Sequence, residues 1–292
     1  MQTNDTLKNI KLGFFGTPHL SVWVLNELES QGILPSLVIT NPDTPQGRKM
    51  LLTPTPVAVW TETRNIPVLK LASLKDPDVE SQLRASGCEL FIVAAYGKLI
   101  PQNILDIPKY KTLNTHPSLL PLLRGASPVR SAILEDMNPT GVTIMELTAG
   151  MDEGPLLVQE EVEIPTVAWP IRGNELDEIL FKKGGKMLAE ILPKWKDGTC
   201  VPYEQDHTRA TYCTKITKEM GELDLTAYPY QNLLKIRAFD GWPGTYFFVE
   251  KNSEKIRVKV IDAEIGSDGS LTILRIIPEG KKEMDYRDFI KE

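Results

Sequence analysis

The sequence predicts an α/β fold: a Rossmann-like, mostly parallel sheet domain followed by a small C-terminal β-barrel of OB-like type, somewhat shortened. Three observations carry that prediction. Short apolar runs alternate with stretches of helical spacing through residues 11–147, the pattern of a parallel sheet with crossover helices. Beyond residue 208 the pattern changes to successive strand-like runs joined by turns. The length of 292 residues is ample for two domains.

The elements follow in order. Residues 11–16 (KLGFFG) read as a strand ending in the Gly16-Thr17-Pro18 turn, and 20–28 have helical spacing. Residues 34–40 (LPSLVIT) are again strand-like and lead into a Pro/Gly-rich stretch. A helix over 77–85 precedes 89–95 (ELFIVAA), a continuous apolar run typical of a strand buried on both faces. A strand at 111–115, a helix at 126–134 and a strand at 141–147 (GVTIMEL) complete the series. Right-handed crossovers place the reactive groups of such a sheet beyond the carboxyl ends of its strands. Residues 174–196 form an amphipathic helix with Asn174 as N-cap, a break at Gly184-Gly185 and a kink at Pro193. A polar linker at 199–208 separates a catalytic domain, 1–198, from a C-terminal domain, 209–292. The latter holds a short helix at 232–239 and strands at 244–249, 256–263 and 271–277. Turns fall at Asn252-Ser253 and Ser267-Asp268-Gly269.

Composition bounds the function. With 41% hydrophobic and 25% charged residues the chain has an ordinary globular core that needs no metal or disulfide. Cys88, Cys200 and Cys213 are odd in number and widely spaced, which suits small buried thiols in a reducing compartment. Residues 1–11 resemble neither a secretory nor a transit peptide, and no apolar run approaches the ~20 residues of a membrane span. A cytoplasmic protein with no membrane partner is expected. The net charge of −6 lies entirely within residues 1–207, because residues 208–292 hold 14 basic and 14 acidic side chains. The neutral C-terminal part is able to present a basic face to a polyanion.

Gly16-Thr17-Pro18 stands where a dinucleotide-binding protein carries G-x-G-x-x-G, and Pro18 removes an N–H that a pyrophosphate needs, so NAD and FAD are excluded. The informative segment runs from Asn114 to Gly125 (NTHPSLLPLLRG). Asn114 and His116, two residues apart at a strand end, project to the same side. A carboxamide N–H and an imidazole aimed at one point suit a developing oxyanion. Asp152 lies in the glycine-bracketed loop AGMDEGP after 141–147, and orients the imidazole if the sheet brings it there.

The Asn114-x-His116 pair, the Ser118-Leu119-Leu120-Pro121-x-x-Arg124-Gly125 stretch and the downstream Asp152 together resemble the folate-dependent formyltransferases. The resemblance implies that 10-formyltetrahydrofolate is the formyl donor and that Asn114, His116 and Asp152 are the catalytic residues. It also implies that Ser118, Leu119, Leu120 and Pro121 line the folate pocket, and that no metal takes part. The stretch 41–57 (NPDTPQGRKMLLTPTPV), with Arg48 and Lys49 near its middle, resembles the long loop of those members that act on methionyl-tRNA, where it meets the acceptor stem. YGKLIP at 96–101, GWPG at 241–244 and PEGKKEM at 278–284 extend the similarity along nearly the whole chain. The partner implied is initiator methionyl-tRNA and the enzyme is expected to be a monomer. Leu122 and Leu123 depart from the basic or aromatic residues usual at those positions, and the stretch between Ile256 and Pro278 is short for the family's barrel. The rival readings are a sugar-nucleotide N-formyltransferase and a non-catalytic folate-binding protein.

Overall fold

The structure is a computed structural model that describes residues 10–47, 49–251 and 254–291. Arg48 and the Asn252-Ser253 turn lie outside the described residues. In chain order the elements are β1 (Leu12–Phe15), α1 (His19–Ser30), β2 (Leu37–Thr40), β3 (Thr44–Gln46), β4 (Leu51–Thr53), α2 (Pro56–Glu62) and β5 (Val68–Lys70). Then come α3 (Pro77–Ala85), β6 (Leu90–Val93), α4 (Gln102–Leu105), β7 (Thr112–His116), β8 (Arg124–Gly125), α5 (Pro128–Leu134), β9 (Thr140–Glu146) and β10 (Leu156–Val162). Last are α6 (Gly173–Lys196), β11 (Tyr212–Cys213), α7 (Pro229–Ala238), β12 (Thr245–Lys251), β13 (Glu254–Ile265), β14 (Leu271–Pro278), β15 (Met284–Asp285) and α8 (Tyr286–Phe289).

The chain divides into two compact units. The first comprises the described residues up to Arg124, Gly141–Val162 and Glu178–Tyr212. Its seven-stranded sheet has the order β10-β9-β7-β6-β1-β2-β5. β5, β2, β1, β6 and β7 run parallel, and β9 is antiparallel to β7. The chain moves outward from β1 to β2 and β5, then returns to β6 and β7. The switch in direction therefore falls between β1 and β6, where open α/β sheets leave a crevice at the strand carboxyl ends. β1, β2, β6 and β7 are buried along their whole length; β1, β2 and β6 are accordingly largely apolar, whereas β7 (TLNTH) buries the polar side chains of the site.

Local chemistry sets the helix limits. Asp76 caps α3 by accepting from the Asp78 N–H at 3.2 Å, Pro77 takes the first position, and Arg84 sits in the last turn. Thr55 caps α2 in the same way, with Pro56 next. The long helix α6 begins at Gly173, so Asn174 lies inside its first turn rather than capping it. No break occurs at Gly184-Gly185. A Cβ on Gly184 would run into the Thr115 hydroxyl of β7, and one on Gly185 would lie 2.6 Å from Glu27 Cβ and 3.0 Å from the Val24 carbonyl of α1. The glycine pair lets α6 press against the strand that carries the site, which outweighs the ~1 kcal/mol that glycine costs inside a helix.

The second unit comprises Gly125–Thr140, Glu163–Asp177 and the described residues from Cys213 onward. Its antiparallel sheet, in the order β12-β13-β14-β15, is the small C-terminal β-structure the sequence predicts. Phe247, Val258, Val260, Ile273 and Ile276 alternate inward and pack with Ile236 of α7 and Phe289 of α8. Arg172 and Arg237 both pair with Asp262 of β13, at 2.7 and 3.0 Å, and Arg172 also reaches Asp240 at 3.2 Å.

Candidate active site

β7 ends at the carboxyl edge of the sheet with Asn114 and His116 on one side of the strand. They are 8% and 4% exposed and stand opposite Met145 and Thr143 of β9. His116 Nε2 lies 3.0 Å from the Leu123 carbonyl. A carbonyl only accepts, so Nε2 carries the proton and donates it to Leu123. The other ring nitrogen, Nδ1, faces Asp152 Oδ2 at 3.7 Å. That separation is an ion-pair distance, too long for a hydrogen bond. The three residues expected to act together, Asn114, His116 and Asp152, are thus brought to one strand end.

Both neighbours of the ring hold unusual backbone. Leu123 has φ 57° and Asp152 φ 51°, the left-handed region that costs a non-glycine residue about 1–2 kcal/mol. Such conformations persist only where the surroundings enforce them, and they concentrate at functional sites. Gly154 meets a second demand, since a Cβ there would collide with the Glu146 carbonyl.

The stretch expected to line the folate pocket is held from behind by Thr143. Its hydroxyl donates to the Ser118 carbonyl at 2.7 Å and accepts from the Leu120 N–H at 3.2 Å and from Gln159 Nε2 at 2.8 Å. Gln159 also donates to the Leu120 carbonyl at 2.8 Å. The Ser118 hydroxyl turns inward and donates to the Leu122 carbonyl at 2.6 Å, and the Leu120 side chain packs with Met145 and Leu156 in the core. Leu119 and Pro121 remain half-buried. The side chains of Ser118 and Leu120 are therefore committed to shaping the loop. Tyr96, just past β6, is 2% exposed, and burial pushes its hydroxyl up to about 12, so it stays protonated at neutral pH.

Sequence reasoning passed over three residues near the site: Thr143, Gln159 and Gln205. Thr143 and Gln159 lie on β9 and β10, and the turn beyond β7 brings Ser118 and Leu120 within their reach. Gln205 is 5% exposed within the polar stretch read as a linker. No signal in the sequence marks it out.

Two features suit a polyanion. The hairpin β3-β4 carries Lys49 in its exposed turn, beside the exposed Met50, Leu51 and Leu52. In the second unit, β12 and β13 pair Tyr246 with Lys259 and Phe248 with Arg257. Arg257 lies 3.7 Å from the Tyr246 ring centroid and Lys255 Nζ 4.2 Å from that of Phe248. Held over these rings, the two cations give a sheet surface able to meet phosphates. Among the described residues no cluster of three or more His, Cys, Asp or Glu side chains is placed to hold a metal ion, and no helix is long and apolar enough to cross a membrane.

Residues 9–168 match the formyl transferase family model, and residues 215–268 match the model of the formyl transferase C-terminal domain. A methionyl-tRNA formyltransferase of Chloroflexus aurantiacus is 41% identical over 239 residues, covering 82% of this chain and 76% of that protein. One of Thermus thermophilus is 38% identical over 272 residues, covering 93% and 86%. Among solved structures, methionyl-tRNA formyltransferase from Clostridium thermocellum superposes with TM-score 0.59 at 15% identity, over 94% of this chain and 99% of that one. HypX from Aquifex aeolicus, in complex with tetrahydrofolic acid, does so with TM-score 0.65 at 16% identity, over 97% of this chain and 47% of that one. A sugar N-formyltransferase from a Shewanella species gives TM-score 0.61 at 16% identity, over 94% and 99%. At these identities the structural likenesses concern the fold alone.

Proposed function

The chain belongs to the formyl transferase family, and on that premise we propose that it moves the formyl group of 10-formyltetrahydrofolate onto the α-amine of initiator methionyl-tRNA. The observation that carries the chemistry is the end of β7, where His116 is bracketed by the Leu123 carbonyl and the Asp152 carboxylate, with Asn114 beside it.

The amine attacks the formyl carbon, a new C–N bond forms, and the carbonyl oxygen gains negative charge. Asn114 donates an N–H to that oxygen. Because Nε2 is bound to Leu123, His116 meets the oxygen through Nδ1–H, and the nearby Asp152 carboxylate balances the charge on the ring. The amine then loses a proton, the bond from the formyl carbon to the folate nitrogen breaks, and that nitrogen leaves protonated. In this reading the Asp152 carboxylate takes the proton from the amine and returns it to the departing folate nitrogen, while His116 keeps both ring protons. Removing one oxyanion donor typically lowers turnover about 10²–10³-fold, or about 2.7–4 kcal/mol. The backbone of Ser118, Leu119, Leu120 and Pro121, braced by Thr143 and Gln159, forms the wall for the folate in this reading.

The acceptor stem meets the stretch 41–57 with its Arg48 and Lys49, and residues 209–292 bind the tRNA body through Phe248, Lys255 and Arg257. The enzyme works as a cytoplasmic monomer and needs no metal. The high identity to proteins named for methionyl-tRNA supports this acceptor over a sugar nucleotide. Thermal shift against three ligands tests the choice. Charged initiator tRNA and tetrahydrofolate each raise the melting temperature on this account, whereas stabilisation by a nucleotide-linked amino sugar and not by the tRNA overturns it.

A further inference from the structure

We infer that Gln205 is a positioning residue that locks the Asp152 loop onto His116. The inference rests on the roles proposed above for His116 and Asp152.

Gln205 is the one buried residue in the stretch 201–210. Its carboxamide is fully used. Oε1 accepts from Arg124 Nε at 3.1 Å and Nη2 at 2.6 Å, while Nε2 donates to the carbonyls of Asp152 at 2.9 Å and Gly154 at 2.7 Å. The amide has no freedom to reverse, since a guanidinium only donates and a backbone carbonyl only accepts. Arg124 is 1% exposed, and its Nη2 also donates to His207 Nδ1 at 2.9 Å.

These contacts close a ring around the imidazole. His116 Nε2 donates to Leu123, Leu123 precedes Arg124, Arg124 donates to Gln205, Gln205 donates to Asp152, and the Asp152 carboxylate faces His116 Nδ1. Gln205 joins the two arms that orient the ring, reaching Arg124 across 81 positions and Asp152 across 53. Its two donated bonds clasp the loop at the left-handed Asp152 and two residues beyond. Misplacement of a catalytic group by about 1 Å costs roughly 10²-fold in rate.

Gln205→Glu is the discriminating substitution. It keeps the size of the side chain and its acceptor toward Arg124, and replaces the donor toward the Asp152 and Gly154 carbonyls with a second acceptor. The measurement is steady-state formyl transfer by wild type, Gln205→Glu, Asp152→Ala and the double variant, with folding checked by melting temperature. We expect Gln205→Glu to lower kcat about 10- to 100-fold, with KM for both substrates nearly unchanged. In the Asp152→Ala background the same change costs little more, because coupled sites are non-additive. Wild-type kcat in folded Gln205→Glu, or the same fold-loss with and without Asp152, overturns the inference. Gln205→Asn, which retains the amide but cannot span both sides, serves if the glutamate variant does not fold, and is judged by the same coupling. Full activity of Asp152→Ala removes the catalytic reading of Asp152 and this inference with it. A silent Gln205→Glu beside an inactive Asp152→Ala removes this inference alone.

Discussion

Thr143→Val removes one hydroxyl while leaving the shape of the side chain nearly intact. Thr143 is wholly buried and stands opposite His116 across β7 and β9. The valine leaves the Ser118 carbonyl without its 2.7 Å donor and the Leu120 N–H without its 3.2 Å acceptor, whereas Gln159 keeps its bond to the Leu120 carbonyl. Each buried backbone group left unsatisfied costs about 1–3 kcal/mol, so the variant loses about 2–6 kcal/mol. The lower figure alone shifts the melting temperature by about 3 °C in a chain of this size. Because these two bonds hold Ser118 and Leu120 in place, KM for 10-formyltetrahydrofolate rises while KM for the tRNA stays put. Thermal unfolding and folate titration at saturating tRNA measure both. An unchanged melting temperature together with an unchanged folate KM refutes the reasoning, since the hydroxyl then neither braces the loop nor shapes the pocket. Leu120 is less informative, because its side chain belongs to the core and a charge there disrupts folding.

Asn114→Ala and His116→Ala each lower kcat at least about tenfold with folding retained; single-turnover transfer by the purified variants checks this, and near-normal turnover removes that residue from the mechanism. Replacing Arg48 and Lys49 together by alanine raises KM for methionyl-tRNA and flattens the log–log salt dependence of binding by about 0.9 for each duplex phosphate no longer neutralised, with folate affinity unchanged. Binding titrations across a salt series check this, and parallel slopes for wild type and double variant count against the loop. Arg130→Met strands Asp177, which it pairs at 2.7 Å, and costs about 3–5 kcal/mol at neutral pH. Burial already holds the Asp177 carboxyl above its ordinary value, and loss of Arg130 raises it further. A carboxyl raised in the folded state adds stability below its unfolded pKa and loses it as pH rises through the folded value. The Arg130→Met deficit is therefore smaller near pH 4 than at pH 7, and denaturant melts at the two values test it.

Much of the parallel sheet was legible because strands buried on both faces are apolar runs, as LFIV of β6 and LGFF of β1 are. β10 was not, since LLVQEEV is buried only at its start and turns polar beyond. α2 hid in a proline-rich stretch whose Thr55-Pro56 cap resembles a loop. Gly184-Gly185 looked like a helix break because glycine is unfavourable in a helix, and only the closeness of Thr115, Val24 and Glu27 reveals the pair as a packing device. At the candidate site, the strand-end placement of Asn114 and His116 was legible in the sequence, and the approach of Asp152 to His116 was a condition that the sheet meets. The residues that brace the loops around them were not legible. Thr143, Gln159 and Gln205 are ordinary polar side chains whose work depends on partners that only folding brings near.

The central claim is formyl transfer to methionyl-tRNA at the end of β7. The most direct measurement incubates the protein with charged initiator tRNA and 10-formyltetrahydrofolate labelled at the formyl carbon, hydrolyses the ester and identifies the amino acid released. Labelled formylmethionine from wild type, and its near-absence with His116→Ala, is the predicted result. Free methionine with no label from wild type, under conditions where a nucleotide-linked amino sugar becomes formylated, would contradict it.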